Sequence, residues 1–361
     1  MIHDIAIIGA GMAGASLAAA IGGRARVILI EAEDMPGRHA TGRSAAFWSE
    51  TYGGPAVQPL TTASGPVLRE GGYLTPLGSL HIGRATDAAK ADHLLADFEG
   101  SGVDLSRVDP ATRIPGLRPE WVHGVWEPSC AYIDVAALHA DFLAVARGAG
   151  AVLLTDAALL AAERRDGVWR LDTRAGPVAA RVVVNAAGAW ADQVAALAGV
   201  RPIGITPYRR TMVQLRTDPP VPEGLPHVVD MAGGFYFKPE AGGRLWLTPH
   251  DESPSVPCDI APEEWDVAVA IDRLEKVVDW RIAAVERRWA GLRSFAPDRA
   301  PVYGFDADVP GFFWCAGQGG FGIQTAPAAA ALAAALLLGE GDMPGGVDPD
   351  RYGVGRFSAK G

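Results

Sequence analysis

The chain has 361 residues, 49% of them hydrophobic, so it is long enough for one large or two interleaved domains around a substantial core. Its formal net charge of −10 argues against a nucleic-acid partner, because proteins that bind phosphate backbones present a basic face. The three cysteines, Cys130, Cys258 and Cys315, form neither a CxxC pair nor a metal-ligand cluster, which predicts reduced thiols, no metal site and a cytoplasmic location.

The first elements in chain order are a buried strand at residues 5–8, a helix at 13–21 and a second strand at 27–30 that ends at Glu31. The glycines between the first strand and the helix fit the pattern G-x-G-x-x-G: Gly9, Gly11 and Gly14. The first glycine of this pattern permits a tight turn, the second lets the backbone approach a pyrophosphate, and the third lets the helix pack closely on the strand.

A dinucleotide site follows from this order of strand, glycines, helix, strand and acid. The N-terminus of the helix offers unpaired N–H groups and a positive dipole end to the phosphates. Glu31 is placed to accept hydrogen bonds from ribose hydroxyls, and its charge would repel a 2′-phosphate, so NADP is disfavoured. The alternative is a tight strand–helix turn without a ligand.

The segment at residues 34–48, DMPGRHATGRSAAFW, favours FAD over NAD. It is rich in glycine and small residues, which predicts a loop along the dinucleotide instead of the next strand of a nicotinamide-binding domain. The next parallel-strand candidates come only at 151–154 and within 181–192. An interrupted nucleotide-binding domain of this kind is typical of two-domain flavoproteins.

Alternating apolar and polar residues in the middle of the chain predict strands of a mixed or antiparallel sheet at 211–217, 234–239 and 243–249. Residues 71–83, GGYLTPLGSLHIG, predict a hairpin of the same sheet. The proline-rich segment at 217–226 predicts a loop.

A second glycine turn, GQGGFGIQT, precedes an apolar helix near the C-terminus. Thr325 and Pro327 fit the start of that helix, and residues 326–338 are too few to cross a bilayer. The strand pattern at the N-terminus begins by Asp4, which leaves no room for a signal peptide. We therefore expect no integral membrane segment.

Five motifs occur in order along the chain: GAGMAGAS, TGRSAA, VVNAAGAWAD, WAGLRSFAPD and GQGGFGIQT. Together they resemble the FAD-dependent D-amino acid oxidase and glycine/sarcosine oxidase superfamily, and within it the bacterial D-arginine dehydrogenase group. The resemblance extends from Asp4 to about Leu338. It implies an α/β (α+β) fold, with an interrupted Rossmann-like FAD-binding domain and a substrate domain built on a mixed or antiparallel sheet.

The resemblance also implies how the chain divides between the two domains. Residues 1–70, 133–205 and 290–361 are assigned to the FAD-binding domain, and residues 71–132 and 206–289 to the substrate-binding domain.

By the same resemblance FAD is non-covalent, since a linking cysteine would follow the LRS motif and Phe295 stands there. Backbone N–H groups of the second glycine turn, with the dipole of the helix that follows, would stabilise negative charge on the reduced ring. The implied cofactor-binding residues are Gly9, Gly11, Met12, Ala13, Gly14, Glu31, Ala32, Arg38, Thr41, Gly42, Arg43, Ser44, Ala45, Ala158, Ala187, Gly188, Trp190, Gly319, Gly320, Phe321, Gly322, Ile323 and Gln324.

The implied substrate is an amino acid whose carboxylate binds to arginine, because a planar guanidinium offers two parallel donors. Arg210 and Arg293 stand at the positions that the resemblance gives to this role, and the alternative for each is a structural ion pair. Strand alternation would direct Arg209 to the opposite side from Arg210.

The remaining implied site residues surround this carboxylate. Tyr52 and Tyr236 would bind or cover it, although aromatic core packing would also account for them. Gln324 and the backbone of Gly320 would face the substrate amine, and His227 would form a pocket wall unless it is simply solvated.

Two departures from the D-arginine dehydrogenase pattern alter the predicted substrate. Ser79 stands where that group has a glutamate, and Phe47 stands where it has a histidine. The loss of a carboxylate partner and the more apolar pocket predict a preference for neutral, hydrophobic D-amino acids over D-arginine and D-lysine.

The predicted reaction is oxidation of D-amino acids by hydride transfer from Cα to flavin N5, with hydrolysis of the imine to a 2-oxo acid and ammonia. Two alternatives stay open: oxidation of secondary amino acids of the sarcosine, glycine or proline type, and a flavin-binding module without amine oxidation.

The electron acceptor is predicted from a missing lysine. Residues 245–248 lack the lysine with which sarcosine-type oxidases activate oxygen, and Lys238 is displaced from that position. This favours a quinone or another acceptor over O₂. A quinone would be consistent with a peripheral contact with the inner membrane.

Overall fold

The computed structural model describes residues 1–357, and in this range the chain forms two large β-sheets, a small third sheet and seven α-helices. The helices are Met12–Ile21, Gln58–Glu70, Ala88–Asp97, Val135–Gly148, Ala191–Leu197, Glu264–Glu275 and Ala326–Leu338. This mixture of helices and sheets confirms the predicted α/β (α+β) class.

The eight-stranded sheet has the parallel core that the first glycine turn predicts. Its parallel strands lie side by side in the order Val152–Leu154, Val27–Ile30, Ile2–Ile8, Gly176–Asn185 and Phe312–Ala316. Antiparallel strands extend it at one side: Leu159–Arg165, Val168–Thr173 and Val302–Phe305. Because neighbouring strands come from distant parts of the chain, the sheet is interrupted along the sequence, as predicted.

Close packing in the first turn requires glycine at two positions. Gly9 has φ +99°, and a Cβ there would lie 2.6 Å from the carbonyl oxygen of Ala186. A Cβ on Gly14 would overlap the carbonyl oxygen of Gly9 and lie 3.2 Å from the side chain of Ile7. The helix can approach the first strand only because both positions lack a side chain, which confirms the packing role predicted for Gly14.

The ten-stranded sheet is mixed. Its strands lie in the order Gln318–Gly319, Arg281–Phe295, Thr206–Asp218, Arg244–Thr248, Tyr236–Glu240, His227–Asp230, Ser79–Arg84, Trp121–Glu127 and Ser106–Val108, and Ser253–Pro254 also pairs with Thr206–Asp218. Only the pairing of His227–Asp230 with Ser79–Arg84 is parallel among the described strands of this sheet. The predicted strands at 211–217, 234–239 and 243–249 all belong to it.

One long strand of this sheet connects the two predicted domains. Arg281–Phe295 runs across the predicted boundary between residues 289 and 290, and its last two residues pair with Gln318–Gly319 of the second glycine turn. The division into an FAD-binding and a substrate-binding domain therefore remains a prediction, with continuous backbone pairing across this boundary.

The hairpin predicted at residues 71–83 is wrong. Leu74–Pro76 belongs to a three-stranded sheet with Phe47–Trp48 and Ala131–Ile133, whereas Ser79–Arg84 belongs to the ten-stranded sheet. Gly78, at φ +76°, redirects the chain between the two sheets, and a Cβ there would overlap the ring of Trp126.

Two apolar helices cover one face of the eight-stranded sheet. Met12–Ile21 and Ala326–Leu338 pack against each other and share a buried cluster that includes Leu17, Phe313 and Leu332. The last helix follows the N-cap residue Thr325 and ends at left-handed Gly339, as Gly and Pro preferences predict.

Within residues 1–357, no helix combines the length and the apolar character that a membrane span requires.

The packing at Gly14 predicts a stability effect. Gly14→Ala should lower the free energy of unfolding by about 2 kcal/mol, because an inserted methyl group in a closely packed contact typically costs about 1–3 kcal/mol. Gly23→Ala is the matched control, since a Cβ at Gly23 meets nothing within 4 Å. Urea unfolding of the cofactor-free proteins measures both. Equal stabilities of the two variants would contradict this account of the turn.

Candidate active site

A cavity of about 620 Å³ lies between the two large sheets. It extends from the first glycine turn to Arg210 and Arg293 of the ten-stranded sheet. All of the predicted cofactor-binding residues line it except Gly14, Gly42 and Phe321. Gly14 packs the helix on the strand, and Phe321 is buried beside aromatic rings, so their contribution is to support the turns.

The first glycine turn fits a dinucleotide. The carboxylate of Glu31 accepts hydrogen bonds from the backbone N–H groups of Ala10 (2.9 Å) and Glu33 (3.1 Å), which fixes it beside the turn. A Cβ on Gly11 would meet only Thr41 Oγ1, at 3.3 Å, so the space in front of the helix N-terminus is open to a ligand. Open space, N–H groups and a fixed acid together match phosphates and a ribose.

The second glycine turn lies directly against the predicted substrate residues. A Cβ on Gly320 would overlap the guanidinium of Arg293 and lie 2.6 Å from the hydroxyl of Tyr52. Gly319 has φ +56°, and Phe321 N–H donates to the carbonyl of Gln318 (2.9 Å), which closes the turn. Glycine at 320 therefore allows the backbone to approach Arg293 and Tyr52, and its predicted position facing the substrate amine stays a prediction.

Arg210 and Arg293 form a buried cationic pair. They lie on the paired strands Thr206–Asp218 and Arg281–Phe295, line the cavity, and are only 5% and 9% exposed. Burial, and then the charge of Arg293, lowers the pKa of Arg210, but a guanidinium remains protonated. Arg210 Nη1 and Arg293 Nε are buried without a hydrogen-bond partner among the described residues. The pair can therefore receive an anion.

Arg209 lies on the other side of the same strand. It binds Glu263 and donates to Asp266 (2.9 Å), and it does not line the cavity. The predicted alternation, with Arg210 towards the cavity and Arg209 away from it, is what the structure has.

An aromatic wall stands next to the arginine pair. Phe47, Tyr52, Met212 and Tyr236 all line the cavity. The ring of Phe47 is 4.9 Å from that of Tyr52 and 5.5 Å from that of Tyr236, centroid to centroid. Burial raises the pKa of Tyr236, so its phenol stays neutral and donates to Met212 Sδ (3.5 Å).

Ser79 and His227, which the sequence placed in the pocket, do not line the cavity. They are buried partners in the parallel strand pair, and Ser79 Oγ shares a 3.1 Å hydrogen bond with His227 Nδ1. The imidazole packs against Phe47 at 4.3 Å between centroids, and burial lowers its pKa well below the ordinary value. A neutral His227 thus supports the aromatic wall from behind.

The side chain of Gln324 reaches the cavity but is engaged by the protein. Its amide oxygen accepts from Ser49 N–H (3.3 Å), and its amide nitrogen donates to Tyr52 O (3.0 Å) and Thr61 Oγ1 (2.9 Å). These bonds hold the segment that carries Tyr52. Both N–H groups of this amide are used, but its oxygen keeps a second acceptor position, so the predicted contact with a substrate amine would have to be made at that oxygen.

Glu127 is a buried site-supporting residue that the sequence did not single out. Its carboxylate is fully buried and accepts from Ser49 Oγ (2.9 Å), Glu50 N–H (2.7 Å) and Thr51 Oγ1 (2.6 Å). Burial alone would raise its pKa, but hydrogen bonding and charge from His81, with the hydroxyl donors, lower it. In the sequence, Glu127 is marked only as an acidic residue at the end of the mostly apolar segment Trp121–Glu127.

Other lining residues were also missed by the sequence reasoning. His39 Nε2 donates to Glu33 (2.8 Å), and its ring lies 4.7 Å from that of Trp190. The sequence did contain features that could have indicated them: Glu33 is a second acid shortly after Glu31, and His39 lies in a loop of small residues. The missed residues with polar side chains that line the cavity are Glu33, His39, Arg174, Gln193, Cys258, Ser294 and Gln318.

The two arginines of the loop at 34–48 have protein partners. Arg43 donates to the carbonyls of Ile260 (3.0 Å) and Ala290 (3.3 Å) and binds Asp259, which ties the loop to the other sheet. Arg38 is an exposed residue that pairs with Asp34 at 3.3 Å. Both arginines still line the cavity.

Residues 4–336 match the family model described as DAO, FAD dependent oxidoreductase. The chain belongs to this family. FAD is therefore its cofactor, in agreement with the two glycine turns. The match covers both large sheets and the whole cavity lining.

Individual members of known function agree with this assignment. The glycine oxidase of Geobacillus kaustophilus is 26% identical over 93% of each chain, and its crystal structure superposes with a TM-score of 0.83 over 97% of this chain and 98% of that one. The L-proline dehydrogenase of P. horikoshii superposes with a TM-score of 0.84 at 23% identity, over 97% of this chain and 98% of that one. These likenesses establish the fold.

A third relative is much longer than this chain. Mouse dimethylglycine dehydrogenase is 28% identical over 257 residues, which are 64% of this chain and 29% of that protein.

The site predicts that FAD is released on denaturation. Phe295 occupies the position of a linking cysteine, Cys130 and Cys315 are buried, and only Cys258 of the cysteines lines the cavity. Acid precipitation should therefore leave all of the flavin in the supernatant, as measured by absorbance. Flavin retained in the pellet would contradict non-covalent binding, and mass spectrometry of the Cys258 peptide would locate the link.

Glu127 predicts a pH-dependent stability difference. Glu127→Gln should lower the free energy of unfolding by about 2 kcal/mol at pH 7, as expected for lost hydrogen bonds to a charged group. Since the folded-state pKa lies below the ordinary value of 4.5, this contribution is present above pH 4.5 and is lost as pH falls through the folded-state pKa. Urea unfolding between pH 7 and pH 3 measures it.

The control for this prediction is Glu163→Gln, at an exposed glutamate that pairs only with Arg165. It should change stability little at any pH. A Glu127→Gln difference that stays constant down to pH 3 would contradict the role given to the carboxylate.

Proposed function

We propose that this FAD-dependent oxidoreductase oxidises small secondary amino acids of the sarcosine or proline type. The observation that carries the proposal is the pair Arg210 and Arg293, each with an unpartnered donor, next to an apolar wall in the cofactor cavity. The acids that line the cavity in the described part of the chain are Glu31 and Glu33, both in the first glycine turn region. The pocket thus matches a carboxylate with an apolar remainder.

The protein's own residues bind and orient the substrate. Arg210 and Arg293 would hold the carboxylate through charge-assisted hydrogen bonds, and Tyr52 would lie beside it. When bound, FAD supplies the two-electron oxidation by accepting a hydride from the carbon that bears the amine. Phe47 and Met212 exclude water around this carbon, and the imine product hydrolyses after release.

The amine environment favours an N-substituted amine over a primary one. A primary amine has more N–H donors to satisfy than a secondary amine, and the amide of Gln324 offers a single remaining acceptor position, at its oxygen. An N-methyl group or a pyrrolidine ring would instead pack on Phe47 and Met212. Two relatives are named for N-substituted amino acids, L-proline dehydrogenase and dimethylglycine dehydrogenase, which supports this substrate class, whereas glycine oxidase is named for a primary amine.

Neutral D-amino acids are the second candidate, because the same aromatic wall would accept an apolar side chain. The narrower proposal of a D-arginine dehydrogenase has less support. Position 79 is a serine, and the carboxylate opposite it on the neighbouring strand, that of Glu127, is buried and saturated by protein donors. Neither residue offers a free acid to a substrate cation.

We also propose a dehydrogenase in preference to an oxidase. No lysine lines the cavity in the described range. Lys238 is fully buried, donates to Glu240 (3.0 Å), and lies over the rings of Tyr132 and Trp246. Its ammonium is thus held away from the cavity, and a quinone or another acceptor would reoxidise the flavin.

Anaerobic flavin reduction tests the substrate class. Sarcosine, L-proline, glycine, D-leucine and D-arginine are mixed separately with the holoenzyme, and the bleaching of the oxidised flavin band is followed. We expect sarcosine or proline to give the highest rate constant per molar concentration and D-arginine the lowest. Faster reduction by D-leucine would select the second candidate, and fastest reduction by D-arginine would contradict both.

Substitution of the arginine pair tests the carboxylate clamp. Arg293→Lys and Arg210→Lys should each raise KM about 10–100-fold, because a charge-assisted hydrogen bond contributes about 1.5–3 kcal/mol and 1.4 kcal/mol is tenfold in binding. Arg209→Lys, on the opposite side of the same strand, should stay within about twofold. Equal effects at 209 and 210 would contradict the assignment.

A further inference from the structure

The carboxylate of Glu252, which lies outside the cavity, accepts hydrogen bonds from three guanidiniums. Glu252 Oε1 accepts from Arg293 Nη1 (2.6 Å), Arg299 Nη2 (2.8 Å) and Arg210 Nη2 (3.4 Å). Its side chain is 35% exposed and does not line the cavity. Glu252 therefore contacts the arginine pair from the side away from the substrate space.

The position of Glu252 is fixed by the backbone around it. The next two residues form the short strand Ser253–Pro254, which pairs with Tyr208 and Arg209 immediately before Arg210. The carbonyl of the preceding Asp251 accepts from Arg210 Nε (2.9 Å). The same segment therefore binds Arg210 through both a carbonyl and a carboxylate.

These contacts determine which donors remain free. Arg210 uses Nε and Nη2 towards this segment, which leaves Nη1. Arg293 uses Nη1, which leaves Nε and Nη2, and both lie beside Gly320. Of these free atoms, Arg210 Nη1 and Arg293 Nε are buried, and both residues line the cavity. The acceptors on the outer side thereby orient the donors available to a substrate.

The charges of Glu252 and of the three arginines around it also favour this arrangement of the guanidiniums. Burial alone would raise the pKa of Glu252, but the charges of Arg293, Arg299 and Arg210 lower it, so the carboxylate is ionised at neutral pH. Arg299 stacks on Phe295 with its guanidinium carbon 3.9 Å from the ring centre. Without a shared anion, Arg210 and Arg293 would repel each other across the pocket.

We propose that Glu252 is a positioning residue that aligns Arg210 and Arg293 for a single substrate carboxylate. This inference rests on the carboxylate-binding role proposed for the two arginines. Glu252 touches no substrate atom; it acts by holding the two guanidiniums together and by fixing which of their N–H groups stay unpaired.

The test uses binding of a carboxylate that cannot be oxidised. (Methylthio)acetate carries a carboxylate and a methyl thioether but no amine, and its binding to the holoenzyme is followed by the change in FAD absorbance. Glu252→Gln should weaken its binding about 10–100-fold, because a guanidinium that loses its alignment loses a charge-assisted hydrogen bond to the probe carboxylate. Glu252→Asp retains the charge with a shorter reach and should weaken it less than Glu252→Gln.

Two controls separate positioning from a general loss of structure. Glu263→Gln removes a partner of Arg209 on the opposite side of the strand and should leave probe binding within about twofold. The neutral analogue (methylthio)acetamide should bind wild type and Glu252→Gln equally. Probe affinity of Glu252→Gln within twofold of wild type overturns the proposal, and so does equal weakening for the neutral analogue.

Failure of this inference is distinguishable from failure of the proposed function. If secondary amino acids do not reduce the flavin but Glu252→Gln still loses the probe, the substrate proposal is wrong and the role of Glu252 stands. If Glu252→Gln does not retain FAD, Glu252→Asp decides, and unchanged probe affinity in that variant overturns the role. Absence of probe binding to wild type would overturn both.

Discussion

Two buried positive charges placed side by side are the constraint on which the rest of the site depends. Arg210 and Arg293 extend from paired strands and are almost inaccessible to water, so little solvent screens their repulsion. The protein offsets part of it with the carbonyl of Asp251 and the carboxylate of Glu252. Among the described residues, the buried donors Arg210 Nη1 and Arg293 Nε have no partner. A substrate carboxylate, the ligand proposed for this pair, has the charge and shape to accept from them.

Strand pairing connects this anion site to the second glycine turn. Gln318 and Gly319 pair with Phe295 and Ser294, which directly follow Arg293 in the long strand. The chain then passes Arg293 so closely that only glycine fits at position 320. Backbone hydrogen bonds, not flexible side chains, therefore set how the carboxylate site lies relative to the turn expected beneath the flavin. Oxidation of a carbon centre depends strongly on such positioning.

The sequence predicted best what depends on residues close together in the chain. The first glycine turn, the start of the last helix and the opposite directions of Arg209 and Arg210 follow from local turn preferences and from the periods of helices and strands. The surroundings of Ser79 could not be predicted from the sequence. Its neighbour Glu127 is placed there by the register of two paired strands, and the alternation of apolar and polar residues does not determine that register. The amide of Gln324 likewise binds Ser49, 275 residues away.

The charges around the substrate space also bear on the protonation of the amine. Hydride removal from the carbon requires a neutral amine, whose lone pair supports the developing imine. Tyr236 and His227 are both neutral, since burial raises the pKa of the phenol and lowers that of the imidazole. The charged groups that line the cavity next to the aromatic wall are then the two guanidiniums, with the carboxylate of Glu252 on their outer side, and the guanidiniums disfavour an ammonium ion near them. The arginine pair proposed to bind the carboxylate would therefore also favour the deprotonated, reactive form of the amine.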